Sequence, residues 1–162
     1  KEFHFFDKKS KIKLLKIIRS KIKNNFKINL NDFVSDFFDQ LNFNMIHKLN
    51  TPIDLKLNWK QVREMDNNYL FTIGGHGHNH LSFGSLNNSQ LKNEITKSLK
   101  LFKKKINKRL IHYSYPEGQK VDYNNFVIKF LKESGIKICP SAISGINNIH
   151  SDFFNLKRIQ FT

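Results

Sequence analysis

Leu70-Phe71-Thr72-Ile73-Gly74-Gly75-His76-Gly77-His78-Asn79-His80 sets a short β-prone run against a double-glycine stop and a histidine-rich loop. A polar loop comes next, and then a helix start. Asn87 and Gln90 have the spacing of a capping box, and Leu91, Ile95, Leu99, Phe102 and Ile106 recur every three or four residues behind it. Residues 110–115 form a second β-prone run, stopped by Pro116-Glu117-Gly118. Asp122 then stands where it can cap a helix carrying Phe126, Phe130 and Leu131, with Gly135 at its end. Ile136 to Cys139 reads as a third short strand, and residues 156–161 as a last one. Strand, loop and helix thus repeat, which is the order of an α/β protein with parallel strands. Chemistry in such folds sits on the loops at the carboxyl ends of strands. The histidine loop and the Tyr-Pro-Glu-Gly turn occupy two of them.

Upstream, the pattern is different. Residues 8–23 are lysine-rich, with Ile12, Leu15, Ile18 and Ile22 at helical spacing. Such a helix can lie on a membrane surface, but packing of its apolar stripe on a core is the preferred reading. A second helix is expected from Asn31 or Asp32, with Phe33, Phe37 and Leu41 inward, and a third over Trp59 to Met65.

Composition sets the outer limits. The chain has 162 residues, 39% of them apolar, with 16 Phe, enough for one domain with a real core. A single cysteine, Cys139, excludes an internal disulfide and any multi-cysteine zinc site. No apolar run reaches the length of a membrane span. No signal-peptide pattern is visible, which leaves localisation open. The formal charge is +15, but Lys supplies 24 of the 28 basic residues amid abundant Asn, Ile and Phe. All four have AT-rich codons, and no Arg-fork or aromatic-platform module is present, so no specific nucleic-acid partner is read from the charge.

Three of the seven histidines fall within five residues. Imidazole is the commonest protein ligand for zinc and its neighbours. If the loop turns, His76 and His80 converge; if it stays extended, His76, His78 and His80 share one face. The bland alternative is a polar loop rich in histidine by composition. For Cys139 a small buried apolar role is expected, for His112 a hydrogen-bonded one and for His150 a solvated one. His4 and His47 have no supporting context.

These motifs together resemble the polysaccharide deacetylase, or NodB-homology, family. His76-Gly77-His78-Asn79-His80-Leu81-Ser82 is similar to its His-Ser/Thr-x-x-His motif. Trp59-Lys60-Gln61-Val62-Arg63-Glu64-Met65 is similar to its Trp-x-Gln-x-x-Glu-Met helix, and Tyr113-Ser114-Tyr115-Pro116-Glu117-Gly118 to its Phe-x-Tyr-Pro-x-Gly motif. Leu131 to Ile136 and Leu156 to Ile159 match the usual run-out. The likeness spans residues 57–162. Gly77 stands where Ser or Thr is usual, Ser114 where some members have Arg, and Glu117 where an aromatic is common. The first motif, Thr-Phe-Asp-Asp, has no counterpart here.

The resemblance implies a partial deformed parallel (β/α) barrel. Residues 51–162 would be the later part of the catalytic domain and residues 1–50 a helical insertion-like segment. It implies a divalent metal, zinc foremost, held by His76 and His80, and a substrate cleft lined by Tyr115, Pro116 and Glu117. The implied activity is hydrolysis of N- or O-acetyl groups on a sugar or polysaccharide. The Asp ligand and the base belong to the absent motif, so catalytic residues stay unassigned and the isolated chain is expected to be inactive. Two other classes are carried beside it: a carbohydrate- or polyanion-binding module using the same cleft, and an amidohydrolase-type metal hydrolase. Oligomeric state is not legible.

Overall fold

Asn87 opens the longest helix. Its side chain accepts from the Gln90 backbone N–H at 2.9 Å, and the Gln90 side chain accepts from the Asn87 N–H at 3.1 Å, the reciprocal pair the spacing predicts. The computed structural model describes residues 7–23, 30–40 and 55–159, and among these described residues there are five α-helices. They are α1 (Lys8–Lys23), α2 (Leu30–Gln40), α3 (Trp59–Asp66), α4 (Asn88–Ile106) and α5 (Asn125–Glu133), with a short 3-10 turn at Phe83–Ser85. The chain divides into two compact units, residues 1–55 and 56–162.

In the second unit, Leu91, Ile95, Phe102 and Ile106 of α4 are buried and Leu99 is half-buried, so the expected stripe faces the core. It packs with Phe83, Tyr115, Val127, Leu131 and Cys139. Asn58 and Gln61 close a second capping box on α3. The cap of α5 is Asn124, whose side chain accepts from the N–H groups of Phe126 and Val127, and not Asp122 as expected. Asp122 is buried and accepts instead from the Ser82 hydroxyl at 2.6 Å and the Gln119 N–H at 2.8 Å. A buried carboxylate keeps the donors nearest it, and these come from two neighbouring loops.

The expected strands are reduced to parallel bridges. Gly75 pairs with Tyr113, His112 with Ile138, and Ser144 with Arg158. Gly75 N–H donates to the His112 carbonyl at 3.0 Å, Ser114 N–H to that of Gly75 at 2.8 Å, and Tyr113 N–H to that of Ile138 at 2.9 Å. Three segments therefore lie side by side in chain order, all parallel. Among the described residues this pairing does not lengthen into strands, so the barrel expectation is met only by the order and direction of the segments. The first run begins later than its composition suggests. Leu70 is 70% exposed and sits in a turn closed by Asn68, whose side chain accepts from the Leu70 N–H and whose carbonyl accepts from that of Phe71.

In the first unit, α1 is capped by Asp7, whose carboxylate accepts from the Ser10 N–H at 2.6 Å. That bond holds the Asp7 carboxyl below its ordinary range. The half-buried stripe of α1 is Leu14, Ile18 and Ile22, while Ile12 and Leu15 are exposed, so the buried face is rotated from the one expected. Helix α2 starts at Leu30, which puts Asp32 inside its first turn and not at the cap. Phe33 and Phe37 are half-buried and stack at 6.3 Å between ring centroids. Leu41, His4 and His47 lie outside the described residues. Among the described residues no helix is long and apolar enough to cross a membrane.

Candidate metal centre

The histidine loop leaves the Gly75 bridge and turns at once. Gly77 has φ +79° and His80 φ +57°, both left-handed. These two residues break the extended path on which His76, His78 and His80 would share a face. The rings of His76 and His80 instead meet edge to face, with centroids 4.8 Å apart. Both residues are exposed. Among the described residues no group of three or more His, Cys, Asp or Glu side chains is gathered where it could hold a metal ion. The structure therefore brings together the two histidines the spacing singled out.

The orientation of His76 is set from the neighbouring segment. Its Nδ1 lies 3.0 Å from the Ser114 carbonyl and 2.8 Å from the Ser114 hydroxyl. A carbonyl only accepts, so this contact calls for the proton on Nδ1, the tautomer in which the neutral ring keeps its lone pair on Nε2. That is the arrangement by which an outer hydrogen bond fixes a metal-ligating histidine.

The loop itself is held from two sides. Glu94, a buried residue of α4, accepts from the His78 N–H at 2.7 Å, from the Asn79 N–H, and from Asn79 Nδ2 at 2.9 Å. Gly77 N–H donates to the Tyr113 hydroxyl at 2.9 Å. The Ser98 hydroxyl donates to the Ile95 carbonyl at 2.8 Å, so the Tyr113 hydroxyl, 2.7 Å away, donates to Ser98. The ring of Tyr113 lies close against Gly75, where an added Cβ would sit 2.3 Å from Cε2. Only glycine fits there. Sequence reasoning missed Glu94, Ser98 and Ser114. The one signal was Glu94 itself, a charge on the apolar stripe of a helix.

Burial pushes the Tyr113 phenol up to about 12, and the Cys139 thiol likewise to about 12. Both groups ionise earlier in the unfolded chain, so above about pH 9 the unfolded state sheds protons the folded state keeps. Stability is therefore full below that pH and falls as pH rises toward about 12. Urea unfolding across this range is expected to show the decline, and Tyr113→Phe to make it shallower. An identical slope in the variant would contradict the assignment.

The cleft residues divide. Tyr115 is fully buried, stacked on Tyr123 at 3.9 Å between centroids, and its hydroxyl donates to the Phe154 carbonyl at 2.9 Å. Pro116 is fully buried too, and its Cγ lies 3.3 Å from where a Gly77 Cβ would stand. Both side chains are buried in the turn beside the histidine loop. Glu117, left-handed at φ +61°, is the exposed member. His112 is half-buried at its bridge, and exposed His150 donates its N–H to Asn148. Cys139 is fully buried, as expected.

The fold is shared with solved deacetylases. The Streptococcus pyogenes deacetylase PplD, determined in complex with acetate, superposes with a TM-score of 0.60 at 22% identity, over 68% of this chain and 47% of that one. The deacetylase domain of BpsB from Bordetella bronchiseptica gives 0.57 at 17% identity, over 72% and 53%. A de-N-acetylase from Aggregatibacter actinomycetemcomitans gives 0.52 at 19%, over 79% and 64%. At these identities the likeness is one of fold, and the chain spans about half the length of the first two. No curated protein matches it. The sequence profile described as "Polysaccharide deacetylase" matches residues 22–139, reaching further upstream than the motifs and stopping at Cys139. That match covers well over half of the chain, and it carries the histidine loop, the α4 stripe and the Tyr-Pro-Glu-Gly turn in order: the chain belongs to the polysaccharide deacetylase family.

Proposed function

We propose that the chain supplies the histidine half of the metal site of a carbohydrate deacetylase, which removes N- or O-acetyl groups from a sugar or polysaccharide by hydrolysis. The observation that carries this is the His76–His80 pair, with His76 Nδ1 tied to Ser114. The donor chemistry fits a divalent ion of the zinc type, which takes imidazole nitrogen readily. His76 and His80 would hold it. When bound, such an ion supplies Lewis acidity, polarising an acyl carbonyl and acidifying water. Ser114 keeps the His76 Nε2 lone pair available, and the buried Tyr115-Pro116 turn fixes the wall beside the loop. The turn that ends at exposed Glu117 is the side on which the sugar is placed. The acetate bound in the Streptococcus pyogenes relative supports acyl hydrolysis as the reaction class.

The base and a carboxylate ligand are assigned to a Thr-Phe-Asp-Asp-type segment, as in the family pattern. Losing a general base costs on the order of a hundred- to ten-thousand-fold in rate. The test is acetate release from N-acetylated chitooligosaccharides and other acetylated sugars with added zinc, cobalt or nickel. A form carrying such a segment together with residues 1–162 is expected to release acetate and to lose that activity in His76→Ala. Residues 1–162 alone, without that base and that carboxylate ligand, are expected to be inactive. Metal-independent release, or release that survives His76→Ala, would refute the reading.

A further inference from the structure

We infer that Glu94 is a positioning residue for the metal pair: its carboxylate, fixed in the core, holds the 77–80 loop in the one conformation that brings His80 against His76. The inference rests on reading His76 and His80 as a metal site, and goes beyond that reading by assigning what builds it. Glu94 is 3% exposed and sits between Leu91 and Ile95, which are 1% and 0% exposed. A carboxylate in such a place is costly to desolvate unless its oxygens are filled. The donors that fill it come from the loop. One oxygen takes the N–H groups of His78 and Asn79, and the other takes the Asn79 side-chain amide. The donors are neutral, so the arrangement is a clamp on backbone and not an ion pair.

The clamp explains two features of the loop. His80 is left-handed, a conformation uncommon for a non-glycine residue. Fixing the two preceding N–H groups imposes it. Gly77 is left-handed as well, and a Cβ there would come within 3.3 Å of the same Glu94 oxygen and of Pro116. The close approach of carboxylate to loop thus uses glycine at this position. Outer residues that orient metal ligands typically matter by ten- to a hundred-fold in affinity.

The test reads loop geometry and metal affinity separately. In metal-free protein, an NOE between the His76 and His80 rings and slow exchange of the His78 and Asn79 amides report the clamp. Zinc titration reports the site. Glu94→Ala is expected to lose the NOE, to speed exchange of those amides at least about ten-fold, and to weaken zinc binding ten- to a hundred-fold. Should Glu94→Ala fail to fold, Asn79→Asp decides, because it opposes two carboxylates without touching α4. Adding Glu94→Gln to Asn79→Asp lets the new amide donate to the new carboxylate, and is expected to restore the NOE and most of the affinity. A rescue of this kind is not produced by a general packing defect. An NOE, exchange and zinc affinity unchanged in Asn79→Asp would overturn the inference. If the wild type takes up no zinc but the NOE and amides respond as described, positioning stands and the metal reading falls.

Discussion

His80→Ala is expected to weaken zinc binding by at least about a hundred-fold, with His78→Ala as a near-neutral control. The bound comes from comparison with outer residues, whose loss costs ten- to a hundred-fold; a direct ligand is worth at least the upper end. Zinc in protein sites takes three or four protein donors, and the described residues bring two imidazoles together. Removing one leaves a single imidazole, whose affinity is that of a surface histidine. His78 is the right control because it lies within the same loop and is exposed, yet forms no three-residue group with the pair. Competition against a chromophoric chelator measures all three proteins on one scale. Equal losses in His78→Ala and His80→Ala would mean that the loop binds by local histidine density alone.

Tyr115→Ala is expected to cost about 3–5 kcal/mol of folding stability, the range for truncating a buried aromatic. The ring is fully buried, stacks on Tyr123 at 3.9 Å and joins Val127, Leu131 and Cys139 in one core. Tyr115→Phe keeps the stack and loses the bond to the Phe154 carbonyl, for about 1–2 kcal/mol. Zinc affinity is expected to be unchanged in Tyr115→Phe. Chemical denaturation separates the two variants. A Tyr115→Ala protein of wild-type stability would show that the ring faces the cleft and not the core.

The sequence was most readable where one local rule acts alone. Asn87 and Gln90 mark the start of α4, and Leu91, Ile95, Phe102 and Ile106 mark its buried face, because capping and helical period depend on near neighbours. The meeting of His76 and His80 was legible for a related reason, since two side chains four apart on one short loop need only a turn between them. What could not be read depends on which segments pack together. Asp122 has the composition of a helix cap, but Ser82, forty residues away, supplies its donor in space. Tyr115 has the look of a cleft aromatic, and only the position of Tyr123 and the Phe154 carbonyl makes it core. Leu70 and Phe71 are β-prone, yet the Asn68 turn takes them out of the parallel pairing. Ser114, unusual by family pattern, orients His76 through a contact that spans thirty-eight residues. The charge of α1 said little about its buried face, because Leu14 and Ile12 are equally apolar and only packing selects between them.

The most direct test of the central claim is a zinc titration of the folded protein followed by long-range nitrogen–proton NMR of the histidine rings. The account predicts that His76 Nε2 and one ring nitrogen of His80 shift together at a single stoichiometric site, that His76 Nδ1 keeps its proton toward Ser114, and that His78 does not move. Zinc settling on His78, or leaving the His76 and His80 nitrogens unshifted at saturation, would contradict it.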